Sequence, residues 1–304
     1  MSSTWLSSSF FFLALSLNLS SVFVSAGIDI SGLHALLLAH QNHGPQQCVP
    51  DQSPDDSSPS SCRDDLRMLT LGRQGVFLTD SDSFLSILNT YNLSPVQSDA
   101  TKAFTTLTSS AETLILNLPF RYSTVDSMDA SSYEKATFIH DMNLPLPPST
   151  PQFDFVFDGG FTEHVYHVPQ VYQNIINLLN PGGLFLSVTV NNNFSGHGFY
   201  QFSPEFFTRT FVPKYGMELL ELYLAEVGDA PDKWERIDKD YKYRAEFRFK
   251  AKPGEEPKQT YIIAIARKLP LEVKPFASLM TNSPQQRSYE EEDWVVERQH
   301  LILV

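Results

Sequence analysis

The stretch that most constrains this 304-residue chain lies between positions 153 and 190. Residues 153–157 (FDFVF) form a short apolar run that ends at Asp158-Gly159-Gly160. Val168, Val171, Tyr172, Ile175, Ile176 and Leu179 then recur at i, i+3, i+4, i+7, i+8 and i+11, one face of an α-helix. Asn180-Pro181-Gly182-Gly183 should stop that helix, because proline cannot continue it and glycine accepts positive φ. Residues 184–190 (LFLSVTV) read as the following strand. Strand, helix, tight stop and strand together make a right-handed βαβ crossover, the unit of a parallel sheet covered by helices.

The same alternation extends on both sides. Residues 67–71 (RMLTL) predict a first strand, closed by Gly72-Arg73-Gln74-Gly75. Phe84, Leu85, Ile87, Leu88 and Tyr91 predict a helix over 80–93, and another falls within 100–120. Residues 121–128 predict a second strand ending at Asp129, and 137–140 a short third strand closed by Asp141-Met142-Asn143. Ser203-Pro204-Glu205 opens a helix with a cap residue and proline in its first turn. Residues 217–225 and 261–266 read as two further strands, with a charged loop at 226–258. The expected organisation is an α/β domain over 65–270, a Pro/Ser-rich leader with two cysteines over 27–64, and a peripheral tail over 271–304.

Residues 1–26 carry no charged side chain, and positions 10–24 are apolar over 15 residues, short for a membrane span but suited to a signal-peptide core. Small residues at Val24-Ser25-Ala26 put a cleavage near Gly27. A secretory signal is the first reading; an uncleaved anchor or a buried helix are the alternatives, and a signal peptide can also begin a route to an organelle. Membrane contact is expected only through this segment, if it stays uncleaved. Cys48 and Cys62 flank a loop-like stretch and either pair in an oxidising lumen or stay as two thiols. The formal charge of −13, with no basic patch, argues against a nucleic-acid partner.

Parallel sheets of this kind bind ligands beyond the carboxyl ends of their strands. The residues just after the strands are Gly72 and Gly75, then Asp129, then Asp141 and Asn143, then Asp158, Gly159 and Gly160. Carboxylates suit ribose hydroxyls, Asp and Asn suit a base amino group, and glycines allow close backbone approach. Each is also an ordinary turn residue, so the weight lies in four such turns sharing one rim.

The segment FDFVFDGGFTEHVYHVPQVYQNIINLLNPGGLFLSV resembles the fourth strand, helix and fifth strand of class I S-adenosylmethionine-dependent methyltransferases. With LGRQ, DASSYEKA, HDMNLPLP and NNNFSGHGFYQFSPEFF it is similar to a poorly characterised methyltransferase-domain group, over roughly residues 65–225. The resemblance implies a Rossmann-like, seven-stranded, mostly parallel sheet with helices on both faces, and S-adenosylmethionine as cofactor. It places Gly72 and Arg73 at the methionine and ribose end of the donor, Asp129 on the ribose hydroxyls, Asp141 and Asn143 by the adenine, and Asp158 and Gly159 at the methyl-transfer cleft. The chain departs from the family's acidic Gly-x-Gly-x-Gly loop, having Leu71-Gly72-Arg73-Gln74-Gly75. Arg73 could reach the donor's carboxylate or block the site. Gly72 and Asp129 are 57 positions apart where roughly 20 are usual, so an insertion must lie between them.

For the acceptor, a small molecule or a protein, the catalytic candidates are His197, His164 and Glu163, each able to take a proton as the methyl arrives. Tyr200 and Gln201 lie on the same loop as His197, beside Gly196 and Gly198. Phe161, Tyr166, Phe199, Tyr200 and Phe202 would suit an apolar or planar acceptor and are equally core material. Glu163, His164 and His167 cluster in sequence, but the histidines are three apart rather than the four of helical zinc pairs, and no third ligand is spaced nearby, so no metal site is expected. The competing reading is a non-catalytic binding or regulatory domain with a degenerate donor site. A G-x-S-x-G hydrolase elbow and a dinucleotide-binding G-x-G-x-x-G are both missing.

Overall fold

The computed structural model describes residues 27–44, 65–78, 80–93, 104–105, 108–120, 122–238 and 258–270. The signal-peptide segment, both cysteines and the 271–304 tail lie outside the described residues. Ten strands and five helices carry the argument. The strands are β1 (Gly27–Ile28), β2 (Arg67–Leu71), β3 (Gly75–Val76), β4 (Thr124–Asp129), β5 (Phe138–Ile139), β6 (Phe153–Gly159), β7 (Leu179–Asn192), β8 (Met217–Glu226), β9 (Glu235–Arg236) and β10 (Thr260–Lys268). The helices are α1 (Ile30–His43), α2 (Ser81–Thr90), α3 (Ala111–Asn117), α4 (Val168–Leu178) and α5 (Pro204–Thr210). None of the described helices is long and apolar enough to cross a membrane.

Eight strands form one sheet in the order β5-β4-β2-β6-β7-β10-β8-β9. The pairs β5/β4, β4/β2, β2/β6 and β6/β7 are parallel, whereas β10 runs antiparallel to both β7 and β8. This is the expected seven-stranded, mostly parallel sheet, with two-residue β9 added at the edge. The chain steps outward from β2 to β4 and β5, then returns to lay β6 on the other side of β2. That reversal opens a crevice between the carboxyl ends of β2 and β6, where sheets of this class bind ligands.

Side chains alternate across the strands, so the sheet has two apolar faces. Met68, Phe155, Phe157, Leu184, Leu186 and Ile263 join one core with residues of α1, α2 and α3. Leu69, Leu71, Val156, Phe185, Ile262 and Ala264 join the other with residues of α4 and α5. Burial on both faces explains why the central strands read as nearly continuous apolar runs.

Three expectations need correction. The domain takes in residues 27–44, expected as leader, as well as those from 65: α1 packs Leu33, Ala35, Leu36, Leu37 and Ala39 into the first core, each at most 2% exposed. Its N-cap is Asp29, whose Oδ1 accepts from the Gly32 backbone N–H at 2.7 Å, and β1 pairs in parallel with β3. The signal was present as Asp29 followed by Leu33, Leu36 and Leu37 at i, i+3 and i+4 spacing, masked by the Pro/Ser-rich residues behind it. Next, Pro181-Gly182-Gly183 does not precede the strand but lies inside β7. Phe153 faces Leu179 and Phe155 faces Leu184, so 180–183 bulge out of the ladder with Gly182 at φ +82°. Finally, the second strand starts at Thr124, three residues later than the apolar pattern suggested. The 57-position separation is filled by β3, α2 and α3.

Candidate active site

Three loops meet at the crevice. Gly72 follows β2 in the left-handed region at φ +69°, and its N–H donates to the Met128 carbonyl at 2.7 Å, which locks the loop to β4. A Cβ there would stand 3.1 Å from the Phe161 ring and 3.9 Å from Asp129 Oδ2, so Gly72 is where the β2, β4 and β6 loops touch. Gly72, Arg73, Gln74, Asp129, Gly160 and Phe161 line a cavity of about 390 Å³. Small-ligand sites span roughly 300–1,000 Å³.

Within it, Asp129 Oδ1 accepts from the Ser131 N–H at 3.1 Å. Arg73 is held against one wall: Nε donates to Glu112 Oε1 at 3.2 Å and Nη1 to the Glu134 carbonyl at 2.6 Å. Gln74 is 3% exposed; Nε2 donates to the Leu71 carbonyl at 2.5 Å, which fixes the amide's orientation. Gln74 Oε1 then has no hydrogen-bond partner among the described residues, an unusual condition for a buried acceptor.

Several expected cofactor residues lie elsewhere. Asp141 is exposed and spends Oδ1 on the N–H and Nδ2 of Asn143, at 2.9 and 2.8 Å, bonds that hold its carboxyl below the usual range. Asn143 Oδ1 accepts from the His167 N–H at 2.9 Å, tying this loop to the start of α4. Neither residue lines the cavity. Asp158 is fully buried and accepts from the N–H groups of Phe161 and Thr162 and the hydroxyls of Thr162 and Ser187, at 2.8–3.2 Å. Burial raises its pKa and those four donors pull against the rise. Gly159 is sealed in: a Cβ would fall 2.8 Å from the Phe157 ring and 2.9 Å from Gln74 Oε1. Gly160 and Phe161 form the wall that the sequence pattern gave to Asp158 and Gly159.

The three catalytic candidates do come together. Glu163, in the 3₁₀ turn of Thr162–His164, is 1% exposed, and Oε2 accepts from Thr189 Oγ1 at 2.8 Å. Burial, and then the charge of Asp158, raise its pKa well above the ordinary carboxylate range. His197 Nε2 lies 3.8 Å from Glu163 Oε1, and the rings of His164 and His197 are 4.8 Å apart, edge to face. Burial lowers the pKa of both histidines, with the charge of His164 adding to the effect at His197. His164 also lines the cavity, so the cluster adjoins it.

The loop after β7 is fastened by backbone. The N–H groups of Phe199 and Tyr200 donate to the Glu163 carbonyl at 2.9 and 3.3 Å, and a Cβ on Gly198 would stand 2.9 Å from that oxygen. Gln201 Oε1 accepts from the Phe194 N–H at 2.9 Å, bracing the loop from inside. Tyr166 and Phe199 pack edge to face at 5.7 Å and stay 71% and 65% exposed, an aromatic lip beside the histidines. Phe202 belongs to the core.

No family model matches the chain, and no curated protein matches it in sequence. Solved structures of methyltransferases match it distantly. A 1,6-didemethyltoxoflavin-N1-methyltransferase from Burkholderia thailandensis, bound to S-adenosylhomocysteine, is 12% identical with a TM-score of 0.37, covering 79% of this chain and 78% of that one. A SAM-dependent methyltransferase from Methanosarcina mazei is 11% identical with a TM-score of 0.33, covering 68% and 94%. One from Archaeoglobus fulgidus is 11% identical with a TM-score of 0.32, covering 67% and 86%.

Proposed function

We propose that this chain is an S-adenosylmethionine-dependent methyltransferase acting on a small-molecule or protein acceptor. The observation that carries the reading is the cavity at the strand-order reversal, bounded by Gly72, Asp129 and Phe161. A carboxylate at the end of the second parallel strand suits the two ribose hydroxyls of an adenosyl group, and Phe161 gives it an apolar wall. Gln74, held by its bond to the Leu71 carbonyl, adds a polar side chain to the same wall as Gly72. Arg73, already drawn toward Glu112 and the Glu134 carbonyl, stands along the wall and leaves the cavity open. That geometry favours a working donor site over a plugged one.

Bound there, the donor would supply an electrophilic methyl that passes from its sulfonium to the acceptor, and the chain would have to offer a base for the proton the acceptor gives up. His164 lines the cavity and stands beside Glu163 and His197, so this cluster holds the candidate bases.

Calorimetric titration of the full chain with S-adenosylhomocysteine tests the reading. Saturable binding in the micromolar range is expected, falling at least 10-fold in Asp129→Ala because two charge-assisted hydrogen bonds are lost. No binding by the folded wild type would favour the non-catalytic alternative, and undiminished affinity in the variant would mean that Asp129 does not hold the ribose.

A further inference from the structure

We propose that Glu163, His164 and His197 form a divalent-cation site, with zinc the best-matched ion. Each residue offers one ligand atom, and the three atoms all lie within 4.8 Å of one another. Zinc bonds of about 2.1 Å in a tetrahedron put ligand atoms roughly 3.4 Å apart, so small side-chain rotations close the set. Two imidazoles and one carboxylate, with a position left for water, is also a donor set of zinc enzymes. Imidazole ligands favour zinc over magnesium or calcium, which prefer all-oxygen shells.

One observation beyond the cluster itself points to a ligand here, and the surrounding geometry fits it. Glu163 is 1% exposed, yet Oε1 has no hydrogen-bond partner among the described residues, and His197 Nε2 stands beyond hydrogen-bond reach at 3.8 Å. Leaving a buried carboxylate oxygen bare is costly, and a cation relieves that cost. The other oxygen is fixed by Thr189 Oγ1, the kind of outer support that orients a metal-binding carboxylate. His197, 34 positions away in sequence, is delivered by a loop hydrogen-bonded to the Glu163 backbone itself, with Gly196 at φ +86° permitting the turn. Spacing along the chain could not reveal the site, because its third ligand comes from the loop after a different strand. His167, the nearer histidine, faces Asn143 instead.

Binding of the ion does not depend on the methyltransferase reading. What does rest on that reading is the ion's use: with the three side chains held as ligands rather than free as bases, its open position would take a hydroxyl-bearing acceptor and lower that hydroxyl's pKa, as a zinc-bound water is acidified.

The test is metal titration of the full chain without any methyl donor. After chelator treatment, Co²⁺ is added while its visible absorption is followed, and Zn²⁺ is then used to displace it. One ion per chain is expected, with Glu163→Gln and His197→Asn each weakening affinity at least 10-fold and His167→Asn leaving it unchanged. Wild-type affinity in the first two variants, or no stoichiometric uptake by the folded chain, would overturn the site. Should Glu163→Gln fail to fold, His197→Asn, on the partly exposed loop, decides the matter alone.

Discussion

The stretch from the end of β6 through the 3₁₀ turn behind it carries two buried carboxylates five residues apart, and they are provisioned in opposite ways. Asp158, at its start, receives four donors and has both oxygens engaged. Glu163, near its end, receives one donor on Oε2 and, among the described residues, none on Oε1. The first carboxylate holds a turn in shape; the second keeps an oxygen that no described residue satisfies. Burial alone therefore does not mark a functional acid here; the count of unmet hydrogen-bonding positions does.

The largest effect should come from breaking the satisfied end. Asp158→Ala strands two backbone N–H groups and two hydroxyls in the interior, a loss of about 3–5 kcal/mol and a fall in melting temperature on the order of 10 °C. Thermal denaturation followed by circular dichroism measures it, and a fall of under 3 °C would remove the structural role given to Asp158.

A medium effect is expected at a second satisfied group, on α1. His40 lies between Phe120 and Phe155 at ring distances of 3.5 and 4.6 Å. Nδ1 meets the Leu36 carbonyl at 2.7 Å and Nε2 the Tyr122 hydroxyl at 2.6 Å. Since a carbonyl only accepts, Nδ1 carries the proton and neutral Nε2 accepts from tyrosine. Burial lowers this histidine's pKa from 6.5 to about 4. The unfolded chain thus binds more protons between those values, so the contribution to stability is complete above pH 6.5 and is lost as pH falls toward 4. A drop in melting temperature of roughly 5 °C over that range, reduced in His40→Phe, is expected from melts at stepped pH.

The smallest change belongs to the unsatisfied end. Glu163→Gln keeps an acceptor for Thr189 and replaces a carboxyl that burial already drives toward its neutral form, so metal-free protein should melt within about 2 °C of wild type. A penalty matching that of Asp158→Ala would erase the contrast between the two acids.

Sheet and site were not equally legible in the sequence. The central strands and α4 could be read because burial on both faces gives unbroken apolar runs, and because Val168, Val171, Tyr172, Ile175 and Ile176 keep strict helical spacing. Gly72 and Asp129 could be found because cavity residues follow strand ends. Asp158 was misleading for the same reason: it stands beside a strand end, but its position on the pleat turns it inward toward Thr162 and Ser187. Asp141 and Asn143 follow β5, whose two residues end the sheet, so their loop bends to α4 rather than to the cavity. Gln74 and the joining of His197 to Glu163 depend on loop closure across distant segments, which no local period records.

A crystal structure of the full chain with S-adenosylhomocysteine would test the central claim most directly. It should show the adenosyl group between Gly72 and Phe161 and both ribose hydroxyls within 3.2 Å of the Asp129 carboxylate. Nucleoside bound on another face, or Arg73 swung across the Gly72 loop at saturating ligand, would contradict it.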